Sequence, residues 1–322
     1  MLYDCRYRLA VGVALLCSLA PPAWGQVARL ALRPDSSSDI LPLPGEQRPA
    51  LMELQQEPDL PPGVRSGIFQ KLIFDGGYFA RGGGAKGLGG DEISLKAIFG
   101  FPCPTRKSPL VVTPGFAVRY IDGPLSPDLP PRVYDAYMQF RWLNQATPRL
   151  GIDLAITPGV YSDFQQSNDE AFRLTCHGAA MWTYGPRWKI VLGAAYINRL
   201  DVDVIPIGGL IWTPNEVIKV EALFPRPRIA TRFRYFGDVE WWSYLAGEFG
   251  GETWAVRRAD GSDDLVNYRD WRVILGVERK VIHGLDTRLE VAYVFGREIQ
   301  YRSATPDFTP HGTVMVRGGV TY

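Results

Sequence analysis

Charged side chains recur at every second position of several apolar segments, a spacing that places them on one face of a β-strand. In residues 132–142, for example, Asp135 and Arg141 alternate with Tyr134 and Phe140. The residues with this spacing are Lys96, Asp135, Arg141, Asp153, Arg173, Lys189, Arg232, Arg234, Glu240, Glu248, Arg272, Glu278, Arg288 and Glu290. Because a charge is very costly against lipid, we expect these residues to line the lumen of a membrane barrel.

Both signs of charge occur among these candidate lumen-lining residues, so two functions remain open. Charges around a water-filled channel would let small polar solutes pass with little charge preference. Charges that pair across strands would instead fill a narrow interior. The sequence favours a passive pore for small polar solutes, with a non-conducting structural or adhesion barrel of the envelope as the alternative.

One predicted hairpin carries arginines on its first strand and glutamates on its second. Arg232 and Arg234 precede a tight connection at Gly237, and Glu240 and Glu248 follow it. The alternation predicts all four side chains on the wet face. They would then pair across the hairpin or face each other across the lumen.

Motifs for cofactors and metals are weak. The glycine-rich stretch 82–87 (GGGAKG) is followed by another predicted strand, whereas a phosphate-binding loop opens a helix, so we expect a surface loop. The acidic stretch 259–264 (ADGSDD) lacks the spacing of a calcium loop. His177, His283 and His311 are scattered. The sequence therefore predicts no metal site and no cofactor.

Catalysis is also not expected from the sequence. It contains no G-x-S-x-G motif, and Cys176 lies next to His177 on a predicted strand, where adjacent side chains point to opposite faces. We therefore predict no catalytic residue and no enzyme, with an outer-membrane hydrolase as a remote alternative.

The elements that must carry these residues are β-strands with period-two alternation. The candidate segments are 71–80, 91–101, 110–121, 132–142, 150–160, 172–184, 187–197, 204–213, 216–224, 228–236, 238–249, 268–278, 286–296 and 312–322. Many have the roughly 9 to 11 residues that a tilted membrane strand needs.

Connection lengths complete the prediction of the fold. Long connections at 81–91, 122–131, 162–169, 250–267 and 297–311 alternate with short ones, as in outer-membrane barrels. The connection at 225–227 is the exception, because it is short where a long loop is due. The fold predicted is an all-β, antiparallel, up-and-down transmembrane barrel of about 14 strands, with 12 as the alternative.

The start of the chain predicts export. Residues 1–25 combine Arg6 and Arg8, an apolar stretch too short to span a membrane and a small-x-small cleavage site, and so are expected to be a signal peptide. Residues 26–66 are rich in Pro, Ser and acidic side chains, which favours a disordered periplasmic leader. Residues 67–322 form the barrel, and the location predicted is the bacterial outer membrane.

Charge and cysteine content exclude some partners. Loss of residues 1–25 removes two Arg and one Asp, so the formal charge falls from +1 to zero, which argues against a nucleic-acid partner. The mean hydropathy of -0.08 does not suggest helical membrane spans in the body of the chain. Cys103 and Cys176 can form one disulfide at most, and whether they pair is left open.

The last segment, 312–322 (GTVMVRGGVTY), alternates apolar residues and ends on Tyr322. It is similar to the C-terminal signal that outer-membrane proteins present to the barrel insertion machinery, so Tyr322 is expected to be part of an insertion signal. The strand is also expected to pair with the first one, which removes both exposed edges. Outer-membrane lipid and the insertion machinery are the predicted partners, and the oligomeric state is left open.

Three stretches carry a family resemblance: 206–233 (PIGGLIWTPNEVIKVEALFPRPRIATRF), 273–280 (VILGVERK) and 290–301 (EVAYVFGREIQY). They resemble an uncharacterised family of bacterial outer-membrane β-barrel domains, most closely over 206–322. The resemblance implies a barrel fold and an outer-membrane location. It implies no reaction and no ligand.

Overall fold

A computed structural model describes residues 67–322, except 85, 106–107, 125, 166–168 and 283. The predicted signal peptide (1–25) and leader (26–66) lie outside the described residues, as does His283. Among the described residues, no helix has the length and apolar character that a membrane-spanning helix needs.

The chain forms a closed β-barrel of 14 strands in which sequence neighbours pair antiparallel, as predicted. The strands are β1 (Phe69–Phe79), β2 (Gly89–Thr105), β3 (Ser108–Asp122), β4 (Arg132–Thr147), β5 (Leu150–Ser162), β6 (Phe172–Thr183), β7 (Trp188–Tyr196), β8 (Val204–Trp212), β9 (Ile218–Phe224), β10 (Arg228–Phe236), β11 (Val239–Arg257), β12 (Asp263–Val281), β13 (Asp286–Tyr301) and β14 (Thr313–Thr321). The barrel closes where β14 pairs with β1, and Leu72 and Tyr322 exchange backbone hydrogen bonds of 3.0 and 2.9 Å there.

The two faces of the barrel wall have opposite character. Leu154 and Leu275 point outward and are 44% and 64% exposed, whereas Arg141 and Glu290 point inward and are 2% and 0% exposed. Exposed aromatic rings lie near both ends of the strands, and they include Tyr78, Tyr120, Phe164, Phe172, Trp182, Trp188, Trp212 and Tyr322. An apolar outer band between aromatic girdles is the arrangement of a membrane-spanning barrel.

One predicted loop is wrong. Residues 250–267 were expected to form a long connection, but β11 and β12 stay paired as far as Arg257 and Asp263, so only 258–262 connect them. The apolar alternation stops near Gly250 because the upper part of this hairpin packs on protein. Thr253 and Asn267 are buried there, so their outward positions need no apolar side chain.

The upper end of β11 crosses the barrel and contacts β5. Ala255 forms a bridge with Ser162, the Asp163 amide donates to the Ala255 carbonyl (3.1 Å), and the Arg257 amide donates to the Asp163 carboxylate (2.9 Å). At the outer end, β11–β14 and β1–β5 therefore form a complete ring of strands without the others. We call the remaining strands, β6–β10, the side lobe.

The wall of the side lobe is lowest at β9 and β10. These strands have 7 and 9 residues, and the predicted short connection at 225–227 joins them. β10 pairs with β11 only as far as the Arg228–Ala246 pair, although β11 continues to Arg257.

Apolar residues form four buried clusters in the described part of the chain, and two of them matter for the lumen. The outer apolar cluster, at the outer end, consists of Leu88, Val133, Tyr161, Trp254, Val256, Val266, Ile299 and Tyr301. The apolar wall, on the inner face of the side lobe and the segment after β7, consists of Ala179, Val191, Ala195, Ile197, Ile205, Ile207, Ile211 and Leu223. The charged residues of the lumen lie on the inner side of the outer apolar cluster and face the apolar wall.

Candidate functional site in the lumen

A network of ion pairs crosses the middle of the lumen. It contains equal numbers of arginines and carboxylates, namely Asp75, Arg226, Glu248, Asp270, Arg272, Arg288, Glu290 and Arg317. We call it the mid-lumen network. All but Arg226 come from strands β1 and β11–β14, whose period-two geometry turns them inward.

Glu290 is the most enclosed carboxylate of this network. It accepts hydrogen bonds from the Arg317 guanidinium and the Tyr244 hydroxyl, and Arg226 Nη2 approaches it to 3.1 Å. Several charge-assisted hydrogen bonds therefore replace the water that a buried carboxylate loses.

Glu248 joins three arginines. Arg317 Nη2 lies 2.7 Å from it, Arg272 Nη1 2.8 Å and Arg226 Nε 3.3 Å. Arg272 also forms a fork with Asp270, at 2.7 and 3.0 Å. Gly250 leaves the room for this fork, because a Cβ atom there would lie 2.3 Å from an Asp270 oxygen.

A second group of charges lies on β2–β4. Arg119 binds Asp135 and approaches Glu92 to 3.2 Å, while the Trp254 indole donates to Asp135 at 2.7 Å. The Arg119 guanidinium also lies 5.2 Å from the centre of the Trp254 ring. This group therefore ties the β2–β4 wall to the upper end of β11.

Asp153 lies between Arg141 and His177. Arg141 donates two hydrogen bonds to Asp153, at 2.8 and 2.6 Å, and His177 Nε2 is 3.5 Å from the same carboxylate. Cys176 is exposed on the opposite face, as expected for adjacent residues of a strand. Cys176 and His177 therefore do not form a nucleophile–base pair.

Arg173 connects the side lobe to the upper end of β11. Its guanidinium donates to Glu252 and to the Thr253 carbonyl, both at 2.7 Å, and to the Ile197 carbonyl at 2.9 Å. It thereby supplies donors to a stretch of β11 that β10 is too short to pair with.

Most candidate lumen-lining residues point inward. Lys96, Asp135, Arg141, Asp153, Arg173, Glu248, Arg272, Glu278, Arg288 and Glu290 are buried. Lys189 pairs with the buried Ile211 and so faces the lumen, and no partner is found for it among the described side chains.

The predicted hairpin charges are only partly brought together. Arg232 and Glu240 form an ion pair of 2.6 Å. Arg234 is a correction, since a β-bulge between Arg232 and Arg234 shifts the register and places Arg234 opposite Trp241. The extra residue turns Arg234 to the outer face, where it is exposed. Glu248 pairs with the mid-lumen network, not with an arginine of β10.

The candidate list omits several residues of the site. Asp75, Arg119, Asp270 and Arg317 lie on segments that were predicted as strands, at positions opposite the apolar face, so the same alternation could have found them. Arg226 gives no such signal because it lies in a connection. Arg226 reaches Glu248 and Glu290 because β9 and β10 are short, which brings the connection between them to the level of these carboxylates.

A cavity of about 100 Å³ remains beside these charges. Its lining includes Gln139, Thr157, Thr175, His177, Ile205, Pro225, Arg226, Glu248, Phe249 and Glu252. It lies between the inner faces of β2–β6 and β8, the 225–227 connection and the upper part of β11. A space of this size holds a few water molecules or a small polar group.

The outer loops are held together by Arg258. It binds Asp128, approaches Asp264 to 2.8 Å and donates to the Thr305 hydroxyl at 3.0 Å. Asp260 accepts from Ser262 within its own turn. The acidic stretch 259–264 is thus engaged by hydrogen bonds and arginines, and no group of His, Cys, Asp or Glu among the described residues is arranged to hold a metal.

Acid is expected to loosen these loops. The hydrogen bond from Arg258 holds the pKa of Asp128 below its usual range. A lowered pKa gives stabilisation that is present above the unfolded pKa of about 3.9 and is lost as the pH falls through the lower folded value. Hydrogen exchange of residues 258–262 should therefore accelerate, relative to a peptide standard, when the pH falls from about 5 to about 2.5. An Asp128→Asn variant should be loose at both pH values, and equal protection in all samples would contradict the role of Arg258.

The remaining motifs are ordinary surface features. Gly82 and Gly84 have φ values of 69° and 79° in the connection between β1 and β2, as in a glycine-rich turn. Cys103 and Cys176 both carry free thiols, so they do not pair.

No family model matches the sequence, and no curated protein matches it. Among solved structures the chain is similar to LpxR from Salmonella typhimurium, with 10% identity, a TM-score of 0.37 and coverage of 78% of this chain and 99% of that chain. It is also similar to a TodX monoaromatic hydrocarbon channel mutant (8% identity, TM-score 0.36, 80% and 90% coverage) and to a mutant of the Rh. blastica porin (9%, 0.34, 80% and 99%). Similarities this low assign neither family nor activity, and the resemblance over 206–322 stays a prediction.

Proposed function

We propose that this protein is an outer-membrane β-barrel whose lumen is closed in its resting state, and that it serves the envelope as a non-conducting barrel. The outer-membrane location is supported by the apolar outer face between aromatic girdles and by the charged inner face. Asp153, the carboxylate beside His177, is not placed to assist a reaction, since Arg141 binds both of its oxygens.

The observation that carries the closed lumen is the presence of two barriers in series. The outer apolar cluster fills the outer end, and the mid-lumen network fills the middle with side chains that bind one another. A hydrated ion would have to separate buried ion pairs and then cross an apolar layer. Each step is costly, because a buried charge without its partner is strongly destabilised.

A passive pore for small polar solutes is the second candidate. It is favoured by the polar cavity and by Lys189, a lumen-facing cation for which no partner is found among the described residues. Both barriers consist of side chains, so a rearrangement of side chains could open a path without breaking the wall.

Planar bilayer recording separates the two candidates. The folded protein, verified by heat-modifiable migration on gels, should give no single-channel steps. A pore would give steps, and Arg232→Ser would then shift the ion selectivity toward cations because Arg232 faces the lumen. Arg234→Ser is the matched control, since Arg234 lies on the outer face of the same strand. Steps in the wild type would overturn the closed barrel.

A further inference from the structure

A group of polar side chains interrupts the apolar outer face on β10–β12. It lies at the end of the barrel that carries the short turns, which is the periplasmic end of an outer-membrane barrel. Arg234, Trp241 and Arg279 stand side by side there, because the register pairs Trp241 with Arg234 of β10 and with Arg279 of β12. We call these three residues, together with the neighbouring Thr231 and Ser243, the polar patch.

Other strands are apolar at a similar distance from their short turns. Ile152 of β5, Ile190 of β7 and Leu210 of β8 take the corresponding outward positions. Asn144 of β4 is polar, but it accepts a hydrogen bond of 2.9 Å from the hydroxyl of its neighbour Ser108. The polar patch is therefore a local departure from the pattern of the lipid-facing surface.

A β-bulge helps to build the patch. In an unbroken strand Arg234 would follow Arg232 into the lumen, but the extra residue Phe233 turns it outward. Phe233 is itself 57% exposed, and its ring centre lies 6.5 Å from that of Trp241. The bulge thus places a cation and an aromatic ring on the outer surface at one point. Bulges that redirect a side chain in this way are common at functional sites.

The two arginines of the patch lack acidic partners. Among the described side chains no carboxylate pairs with Arg234 or Arg279, and Arg279 donates a long hydrogen bond of 3.4 Å to the Leu285 carbonyl. At the outer end, by contrast, the outward-facing Arg269 is paired with Glu298. Two positive charges on a lipid-facing surface need a counter-charge, and the phosphates of lipid headgroups supply one at this level.

The patch continues toward the middle of the bilayer as a phospholipid does. Thr231 and Ser243 pair across β10 and β11 and occupy the next outward positions above Trp241. With a rise of about 3.3 Å per residue and a tilt of about 40°, Ser243 lies about 5 Å deeper than Trp241. Hydroxyls at this depth can donate to the ester carbonyls below a phosphate. Leu245 and Leu275, which follow farther in, are exposed and apolar, as acyl chains require.

We propose that the polar patch binds an anionic phospholipid with two phosphate groups joined by glycerol, the chemistry of cardiolipin. One phosphate binds Arg234 and the other binds Arg279, with Trp241 between them. Adjacent strands lie about 4.8 Å apart, so the two arginine Cα atoms are about 10 Å apart, and their long side chains can reach both phosphates of one molecule. The site is on the outside of the barrel, so it requires neither conduction through the lumen nor its absence.

A second copy of the chain is a less favourable occupant. A two-fold contact centred on the patch would bring Arg234 and Arg279 of one copy against the same residues of the other. The patch contains two positive charges and no negative one, so such a contact would be repulsive. A lipid phosphate has the opposite charge.

Fluorescence quenching in nanodiscs with one barrel each tests the site. Bimane is attached to Leu275→Cys, above the patch, or to Ile156→Cys on β5, both in a background with C103S and C176S. Leu275 and Ile156 point outward from the middle of their strands and are 64% and 45% exposed. The probe is cardiolipin with 9,10-dibromostearoyl chains in phosphatidylcholine. Phosphatidylcholine with the same brominated chains, at twice the molar fraction, is the reference.

The measured quantity is the quenching at position 275 divided by that at 156, relative to the same ratio for the reference lipid. It should be at least about twofold for cardiolipin. Brominated phosphatidylglycerol, at twice the molar fraction of cardiolipin, supplies equal numbers of phosphates and chains and should give a smaller ratio. A ratio of about 1 for cardiolipin would overturn the site, and barrels that also enter nanodiscs in pairs would indicate a second copy as the occupant. Equal ratios for the two anionic lipids would overturn the assignment of two phosphates to one molecule.

Arginine variants place the headgroup. Arg234→Gln and Arg279→Gln should each lower the cardiolipin ratio, and the double variant should bring it to about 1, because both phosphate contacts are then lost. Arg187→Gln is the matched control, since Arg187 is exposed in the connection between β6 and β7 at the same end of the barrel. It should leave the ratio unchanged. Heat-modifiable migration checks that the variants are folded, and an unchanged ratio in the folded double variant would contradict the placement of the headgroup.

Discussion

Replacing Glu290 by Gln should lower the free energy of unfolding by about 3 to 5 kcal/mol, the cost of removing one partner from a buried ion pair. Glu290 is fully buried and is bound by Arg317, Tyr244 and Arg226. In the variant these arginines keep their charges in the lumen and lose a carboxylate. Urea unfolding of the protein in lipid vesicles measures the change.

Glu216→Gln is the control for this prediction. Glu216 lies 3.5 Å from Arg232, but its side chain is 90% exposed, so the loss should be about 0 to 1 kcal/mol. A double-mutant cycle of Glu290→Gln with Arg317→Met adds a second measurement. The double variant should lose less stability than the sum of the single variants, because one positive and one negative charge leave together. Additive losses, or equal losses for Glu290 and Glu216, would contradict the network.

Replacing Leu154 by Arg should destabilise the barrel by about 2 to 4 kcal/mol, the cost of an arginine at the bilayer midplane. Leu154 points outward from the middle of β5, opposite Trp142 and Gly178 of its neighbours. The guanidinium would have to pass along the apolar surface to reach water. Equilibrium unfolding in vesicles measures the effect.

The control is Phe236→Arg at the end of β10, next to the turn at Gly237. Phe236 is 78% exposed and lies near the membrane surface, where an arginine costs about 0 to 1 kcal/mol. Similar losses at Leu154 and Phe236 would show that the outer face of β5 does not meet the middle of a bilayer.

The fold could be predicted from the sequence because one local rule applies along the whole wall. Each strand has one face toward lipid and one toward the lumen, so alternation located all 14 strands. The rule fails where the wall departs from this simple pattern. At β10 the bulge turns Arg234 outward, and above Gly250 the strands pack on protein instead of lipid.

The site was less predictable than the fold. Alternation indicates that Glu248 faces the lumen but not which arginine it meets, since its partners lie on β12, on β14 and in the 225–227 connection. Such pairs depend on how closely opposite walls approach each other. Arg226 shows the limit most clearly, because its position follows from the height of two neighbouring strands and not from any pattern around it.

The contact between β5 and β11 has a consequence for how the chain reaches its final shape. Ser162 and Ala255 meet across the mouth, although the whole side lobe separates them along the chain. Contacts between residues far apart in sequence form late, because a long loop must first close. Strands that are adjacent in sequence can therefore pair one after another. The outer apolar cluster contains residues from β4 and β5 and from β11–β13, so it is completed only after this contact has formed. A chain that stops before β11 carries Val133 and Tyr161 without Trp254 and Val256, which help to bury them, so we expect it to expose apolar surface and to aggregate.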